Sequence, residues 1–528
     1  MRPREKGDYH MNKFMNGLID ENNFTFTENG ALTHKTTKSG LLDLFAMGAA
    51  YRSRSDEDVI LLFRKAFQED PTYALKCLFY IRDVRGGQGE RRFFRVCVKD
   101  LARNEKDALL RNLKQIPVYG RWDDLYALVG TPCEKDALAF MKEQLALDVQ
   151  CKTPSLLAKW LKSENTSSAD SRMLGNKTRI AFGMSHKQYR KTLSILRERI
   201  NVLERLMSAG KWDEIEFDKI PSRAGMIYKN AFARHDIERM KSEKEDIVSY
   251  EDFAKDTTTK VNAKVLYPYE CVAEAVKAAQ VRGGGYDWFG RPIANPASAD
   301  TNRAMVNKYW DNLADYFNGA TFNGLAVVDT SASMRGSTAS APINVAISLG
   351  MYCAEKAKGP FAGHYVSFSR SPRLVKVEGV DFVDKVKRIY DTNLCENTDI
   401  EATFDMLLET AIRTGCKQSD LPQNIIVISD MEFDSGTTGS YWGRSRSFNK
   451  ETLMETIEKK WNAHGYKMPN LVYWNVAARQ DNIPMTVKDG VSFVSGFSPS
   501  ILEQVMTNKT AFDLMYEVLD SKRYEAIH

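Results

Sequence analysis

Several features that would assign a chain quickly to a functional class are missing from these 528 residues. The 8 cysteines are scattered singly, without a Cys-x-x-Cys pair, so neither a zinc ribbon nor a disulfide framework is expected. There are only 7 histidines, and none lies in a recognisable catalytic context. No apolar run approaches the roughly 20 residues of a membrane span, and the first residues lack the apolar core of a signal peptide. We therefore expect a cytoplasmic protein that is neither an enzyme nor bound to a membrane.

The chain also lacks a large excess of charge of either sign, since the net charge at pH 7 is only +5. Two stretches depart from this balance: residues 82–121 hold 11 basic and 5 acidic residues, and residues 172–205 hold 9 basic and 2 acidic residues. Clustered positive charge with interleaved aromatic residues is typical of surfaces that bind nucleic-acid phosphates, although a solvated helix face gives similar counts. The candidate RNA-binding residues are Arg85, Arg91, Arg92, Arg121, Arg172, Lys177, Arg179, Lys187, Arg190 and Lys191.

Helical periodicity dominates the first 300 residues. Before it, the Phe24–Gly30 stretch alternates polar and apolar residues and predicts a small hairpin or an irregular arm. Amphipathic segments of similar length then follow one another with short polar breaks, which predicts an α-helical repeat domain over residues 1–300. The predicted helices are 41–52, 56–69, 71–84, 90–103, 106–115, 155–162, 172–182, 186–208 and 223–244.

The remaining residues, 301–528, alternate between short apolar runs and amphipathic segments. This alternation predicts an α/β domain with a doubly wound sheet and helices on both faces. The predicted strands are 324–329, 364–368, 373–378, 424–429, 470–476 and 491–494. The predicted helices are 342–357, 381–390, 399–414, 449–464 and 498–520.

Oxygen-bearing side chains follow two of these strands. The run Gly324–Val328 ends at Asp329, with Ser331 and Ser333 at alternating positions after it. In an open α/β sheet, ligands bind outside the carboxyl ends of the strands. Oxygen ligands without His or Cys favour a hard cation, Mg²⁺ first, with Mn²⁺ or Ca²⁺ possible. The alternative is an ordinary turn at a strand end, because Asp and Ser are common turn residues.

Two further positions complete a spaced pattern, because Thr398 precedes a helical segment and Asp430 follows the strand at 424–429. The pattern Asp-x-Ser-x-Ser, then Thr, then Asp resembles the metal-ion-dependent adhesion site of von Willebrand A domains. The resemblance implies that Ser331, Ser333 and Thr398 bind the ion directly, and that Asp329 and Asp430 hold it mostly through water. The chain departs from many A domains at Met431–Asp434, where they have Gly, so that Glu432 or Asp434 is expected either to crowd or to supplement the site.

A helical-repeat half followed by such a domain resembles the Ro ribonucleoprotein family. Its TROVE module of HEAT-like helices forms a ring that an A domain closes. The resemblance rests on Thr36–Phe45, Ile81–Glu90, Gly120–Asp124 and the metal-site strands. The sequences Ser429–Phe433 and Pro221–Ala224 are shared with an uncharacterised group of Ro-like proteins.

The resemblance implies that single-stranded RNA ends bind in the ring cavity and that structured noncoding RNA binds a basic outer surface. A second hypothesis keeps the metal and discards the RNA. In that case the protein is an interaction module, and a partner's Glu or Asp fills an open coordination position of the ion.

Overall fold

A computed structural model describes residues 13–242, 244, 247–263, 265–280, 296–319, 322–368, 371–392, 398–435, 451–505 and 509–528. Within these residues the first part of the chain is helical apart from one short hairpin, and the second part alternates between strands and helices. None of the helices in the described residues is long and apolar enough to cross a lipid bilayer.

The helical part begins with α1, and the predicted hairpin follows it as strands β1 and β2, which pair antiparallel. Short 3₁₀ segments separate several of the helices. The elements are α1 Lys13–Asn23, β1 Phe24–Phe26, β2 Leu32–His34, α2 Gly40–Met47, α3 Asp56–Glu69, α4 Pro71–Arg82, α5 Arg92–Asn104, α6 Lys106–Asn112, α7 Ile116–Tyr119, α8 Glu134–Gln150, α9 Leu157–Trp160, α10 Ala169–Phe182, α11 His186–Arg199, α12 Leu203–Ser208, α13 Ser222–Arg239, α14 Tyr250–Lys255, α15 Pro268–Gln280 and α16 Pro296–Asp311.

Side-chain caps explain why the predicted first residues of α3 and α4 are accurate. Ser55 accepts a hydrogen bond from the backbone N–H of Asp58, and Asp70 accepts one from that of Tyr73. The prediction of one helix over 186–208 is wrong, because the chain breaks between α11 and α12 at Asn201, where φ is +48°. A left-handed residue cannot continue a right-handed helix.

The second part contains the six predicted strands, each within two residues of its expected bounds. The predicted helix over 498–520 is wrong, since that segment divides into a 3₁₀ turn and two helices. The elements are β3 Gly324–Asp329, α17 Pro342–Lys356, β4 His364–Phe368, β5 Arg373–Lys376, α18 Phe382–Thr392, α19 Ile400–Thr414, β6 Asn424–Ser429, α20 Leu453–Ala463, β7 Asn470–Asn475, β8 Val491–Ser495, α21 Leu502–Val505 and α22 Ala511–Leu519.

These strands form one mixed sheet in the order β5-β4-β3-β6-β7-β8. All neighbours are parallel except the edge pair β4 and β5. From β3, the first strand in sequence, the chain adds β4 on one side and later β6 on the other. The carboxyl ends of β3 and β6 therefore flank the point where the strand order reverses, which is the ligand-binding crevice of open α/β sheets.

The helical part and the sheet part pack directly against each other. Helix α2 lies against β8 and α22. The last residues of the chain reach back to α4, where Arg523 and Tyr524 both hydrogen-bond to the buried Asp83 carboxylate. Position 301, the expected domain boundary, lies within α16. The helical part and the sheet part are therefore joined both by the α16 helix and by buried contacts between segments that are distant in the sequence.

Candidate metal centre and candidate nucleic-acid interface

The predicted metal residues Asp329 and Asp430 lie together at the carboxyl ends of β3 and β6. Asp329 is fully buried, and its Oδ2 atom accepts a hydrogen bond of 2.6 Å from the Ser429 hydroxyl. Its Oδ1 atom accepts one of 2.9 Å from the backbone N–H of Ser331. The parallel pairing of β3 with β6 brings Asp329 beside Ser429, the residue before Asp430, so that residues 100 positions apart in the sequence form one site.

The three predicted hydroxyl ligands lie at the same edge of the sheet. The Ser331 and Ser333 hydroxyl oxygens are 2.9 Å apart. Thr398 precedes α19, and its carbonyl accepts a hydrogen bond from the backbone N–H of Asp434, in the segment after β6. The Asn29 side-chain amide donates to both the Thr398 hydroxyl and the Glu432 carbonyl. The hydroxyls therefore border the two buried aspartates.

The electrostatics of this cluster suit a cation. Burial, together with the neighbouring Asp430 carboxylate, raises the pKa of Asp329 to about 7. Burial also raises the pKa of Asp430, whose Oδ2 atom accepts no hydrogen bond from the residues described. Two buried carboxylates with an unsatisfied oxygen are costly unless positive charge compensates them. The donor set of hydroxyls and carboxylates fits Mg²⁺ and similar hard ions.

Within the described ranges, no three His, Cys, Asp or Glu side chains gather as a metal-ligand set. A cation at this edge would therefore depend on the serine and threonine hydroxyls as well as on the two aspartates.

The segment after Asp430 departs from the Gly-containing pattern in a way the backbone explains. Met431 has φ +65°, the left-handed conformation that glycine adopts most easily, and it remains buried. Glu432 turns to the hairpin: its carboxylate accepts hydrogen bonds from the backbone N–H of Glu28 and from the Asn482 amide. Burial raises the pKa of Glu432 to about 7. Glu432 therefore anchors the hairpin to the sheet.

Three residues of this site were not identified from the sequence: Glu28, Asn29 and Arg479. Arg479 follows β7, lies 3.5 Å from Asp430 Oδ2 through Nη2, and donates a hydrogen bond to the Ser333 carbonyl. Its Nη1 atom is 3.2 Å from the Glu28 carboxylate. Since β7 is parallel to β6, the loop after it had to emerge at the same edge, which was the available signal for Arg479.

A separate cavity of about 1130 Å³ lies within the helical part. It brings together the predicted RNA-binding residues Arg85, Arg121 and Arg190, which are far apart in sequence. Seven basic and two acidic side chains line it, together with aromatic residues. The charged ones are Arg85, Arg121, Lys159, Arg190, Arg197, Arg205, Arg223, Glu164 and Glu204.

The glycine-rich turn beside Arg85 has a structural explanation of its own. A Cβ at Gly87 would lie 2.0 Å from the Tyr80 carbonyl oxygen, and one at Gly89 would lie 2.0 Å from the Tyr267 hydroxyl. The glycines are thus required by close packing between α4 and its neighbours. Arg85 still reaches the cavity wall, where it donates a hydrogen bond to the Val118 carbonyl.

The other predicted RNA-binding residues lie outside this cavity, and several have structural partners. Arg92 pairs with Asp56, Lys177 with Glu134, and Arg179 with Glu164. Arg172 donates to two backbone carbonyls of the loop before α10. Arg91, Lys187 and Lys191 are exposed and do not line the cavity. Arg190, from the second basic stretch of the sequence, lies with Arg85 and Arg121 of the first stretch in one cavity.

Comparison with known families covers nearly all of the chain. A family described as "Domain of unknown function (DUF2828)" matches residues 27–173 and 147–318, which together make up more than half of the sequence. The chain belongs to this family. In this DUF2828 member, residues 323–526 match a second description, "Domain of unknown function (DUF7788)".

Two similar proteins extend over both halves of this DUF2828 chain. "Uncharacterized protein L728" of Acanthamoeba polyphaga mimivirus is 29% identical over 536 residues, covering 94% of this chain and 87% of that protein. Among solved structures, the RO (RSR) protein of Deinococcus radiodurans aligns over 92% of this chain and 99% of its own, with 12% identity and a TM-score of 0.43. A TM-score of this size does not establish a shared fold.

Proposed function

We propose that this protein binds single-stranded RNA in the basic cavity of its helical part. The observation that carries the proposal is the excess of seven basic over two acidic side chains on the cavity wall. Phosphate neutralisation supplies most of the affinity in such sites, and the low net charge of the whole chain makes this concentration distinctive. The motifs of this chain resemble those of Ro proteins, which combine HEAT-like repeats with an A-type sheet domain, and this resemblance supports the same function.

The basic groups of the cavity are not all equally available to a ligand. Arg197 is used internally, because its guanidinium donates to the Ala158 and Leu161 carbonyls. Arg205 and Arg223 pair with Glu198 and Glu270. For three others, no acidic side chain lies within ion-pair distance among the residues described. They are Arg85, Lys159 and Arg190.

Aromatic and apolar surfaces complement these charges. The Arg121 guanidinium lies 4.2 Å from the centre of the Trp160 ring, and Trp122 packs against Phe140 at the edge of the same wall. Ile227 is 70% exposed although it lines the cavity. Unpaired bases stack on such surfaces, whereas the bases of a duplex are already stacked and turned inward. We therefore propose a preference for single strands.

The test measures the affinity of a single-stranded oligouridylate by filter binding at several salt concentrations. The variant Arg85→Gln/Arg190→Gln removes two cavity charges, and Lys187→Gln/Lys191→Gln removes two exposed charges from α11 outside the cavity. Each lost phosphate contact should reduce the slope of log K against log salt by roughly 0.7, or about 1.4 for the cavity pair. Equal effects of the two variants, or no effect of either, would refute the proposed location.

A second candidate function is suggested by the buried carboxylates at the sheet edge. We propose that Ser331, Ser333 and Thr398 hold a divalent cation directly, with Asp329 and Asp430 supporting it through water. When bound, Mg²⁺ would offer an open coordination position for a carboxylate of a protein partner. Asp329→Ala should abolish the heat signal of Mg²⁺ and Mn²⁺ titration while the far-UV circular dichroism stays unchanged. An unchanged isotherm would place the cation elsewhere.

A further inference from the structure

The N-terminal hairpin is docked on the edge of the sheet where the candidate metal residues lie. Its strand β2 exchanges backbone hydrogen bonds with Ile483, in the loop after β7. Its turn contacts the segment after β6: Thr27 donates to the Phe433 carbonyl, and Ser435 donates to the Asn29 carbonyl. Both loops follow the carboxyl ends of parallel strands, so the hairpin turn lies over the crevice.

Glu28 at this turn and Arg479 after β7 form a chain of charges that ends at the site. The Glu28 carboxylate is 3.2 Å from Arg479 Nη1. The other terminal nitrogen of Arg479 donates to the Ser333 carbonyl and lies 3.5 Å from Asp430 Oδ2. This is the oxygen that accepts no hydrogen bond from the described residues. Among the residues that the structure describes, the Arg479 guanidinium is the one positive group within ion-pair distance of the buried Asp430 carboxylate.

We propose that Arg479 is a built-in counter-ion of this site, which competes with a divalent cation for Asp430. Through its pair with Glu28, Arg479 also couples the hairpin to the binding of the cation. The proposal rests on the proposed metal site and adds its regulation. Without a cation, Arg479 compensates Asp430 and is itself held by Glu28. When a cation binds, Arg479 moves away from Asp430, because a guanidinium and a divalent ion at neighbouring positions repel each other.

The geometry explains why this residue suits such an exchange. The Asp430 side chain is fully buried, whereas the Arg479 side chain is 34% exposed and can move into solvent without leaving a cavity. The ion pair is long, at 3.5 Å, so that the contact with Asp430 is weaker than a bidentate pair. Glu28, with 39% of its side chain exposed, can move with it.

The experiment compares Mg²⁺ and Mn²⁺ binding by the full chain and its variants, using calorimetry and the cation-induced rise in melting temperature. Arg479→Gln should bind the ion roughly tenfold more tightly, since one positive charge a few ångströms from a divalent ion is lost. Metal-free Arg479→Gln should melt below the wild type, and the ion should raise its melting temperature more. Arg479→Lys keeps the charge and should bind like the wild type.

Lys488→Gln is the matched control. Lys488 pairs with Glu458 and lies just before β8, at the amino end of the parallel strands, whereas the candidate metal residues lie at their carboxyl ends. Its cation affinity should equal that of the wild type. An unchanged or weaker affinity of Arg479→Gln would overturn the exchange, even if the wild type binds the ion at Asp329. If neither the wild type nor Arg479→Gln binds, both the exchange and the metal site fail, and the RNA proposal is untouched.

Discussion

Replacing Asp124 by Asn should destabilise the helical part strongly, because Asp124 is the buried acid that compensates two arginines. Its carboxylate is fully buried and accepts charged hydrogen bonds from Arg82 at 2.8 Å and from Arg95 at 2.7 Å. Burial would raise the pKa of Asp124, but the two guanidinium groups outweigh burial and lower it. Asn keeps the size of the side chain, but it removes the charge and replaces one acceptor oxygen by an NH₂ donor, so one of the two arginines also loses a hydrogen-bond acceptor.

The size of this loss of stability depends on which arginine is left without an acidic partner. Arg95 keeps a second acidic partner, Asp123, at 3.0 Å. The Arg82 side chain is 2% exposed and would keep its charge without an acid. Removing one partner of a buried pair costs about 3–5 kcal/mol, so Asp124→Asn should lose an amount in this range. The double variant Arg82→Met/Asp124→Leu removes both charges and should recover at least about 2 kcal/mol of that loss.

The assay is equilibrium urea denaturation, followed by circular dichroism and by tryptophan fluorescence. Coincident curves justify one free energy of unfolding for each variant. A loss below about 1 kcal/mol for Asp124→Asn would refute the reasoning, because it would mean that water or another group compensates Arg82. A double variant that is less stable than Asp124→Asn would show that packing outweighs charge at this position.

Two further predictions concern stability. Gly87→Ala should cost about 3 kcal/mol because its Cβ meets the Tyr80 carbonyl, whereas Gly183→Ala, left-handed but in open space, should cost only about 1 kcal/mol; equal losses in urea denaturation would contradict this. Although burial alone would raise the pKa of Glu455, the His34 imidazole 3.7 Å away and the backbone N–H donors of Thr452 and Thr486 lower that pKa to about 2. The stabilisation that the ionised Glu455 contributes is therefore present above pH 4.5 and lost as the pH falls toward 2. Glu455→Gln should lose about 2–3 kcal/mol of unfolding free energy at pH 7 and almost none near pH 2, and thermal unfolding across that range would measure this difference.

Much of the sheet could be predicted because each strand carries its signal locally. Apolar runs such as Ile425–Ile428 are buried on both faces and end at a polar residue, so both their positions and their terminal aspartates were readable. The helices α3 and α4 were similarly marked by their own caps. The prediction of a single helix over 186–208 was wrong because Asn201 takes a left-handed conformation, which the residues around it in the sequence do not indicate.

The parts of the candidate sites that were missed depend on contacts between distant segments. The hairpin residues Glu28 and Asn29 meet the sheet about 400 positions later in the chain, and no local pattern predicts that docking. The charge counts located two basic stretches but could not show that Arg85 and Arg190 border one cavity. They also could not show that Arg92 and Arg179 are engaged by acids.

The most direct test of RNA binding in the cavity is photo-crosslinking of the full chain to single-stranded RNA that carries thiouridine, followed by mass spectrometry of the crosslinked peptides. The account predicts crosslinks at Trp160, Tyr228 and the α11 surface around Arg190, all of which line the cavity. Unlabelled single strands should compete for these crosslinks, and duplex RNA should compete poorly. Crosslinks confined to residues 322–528, or absent at low salt, would contradict it.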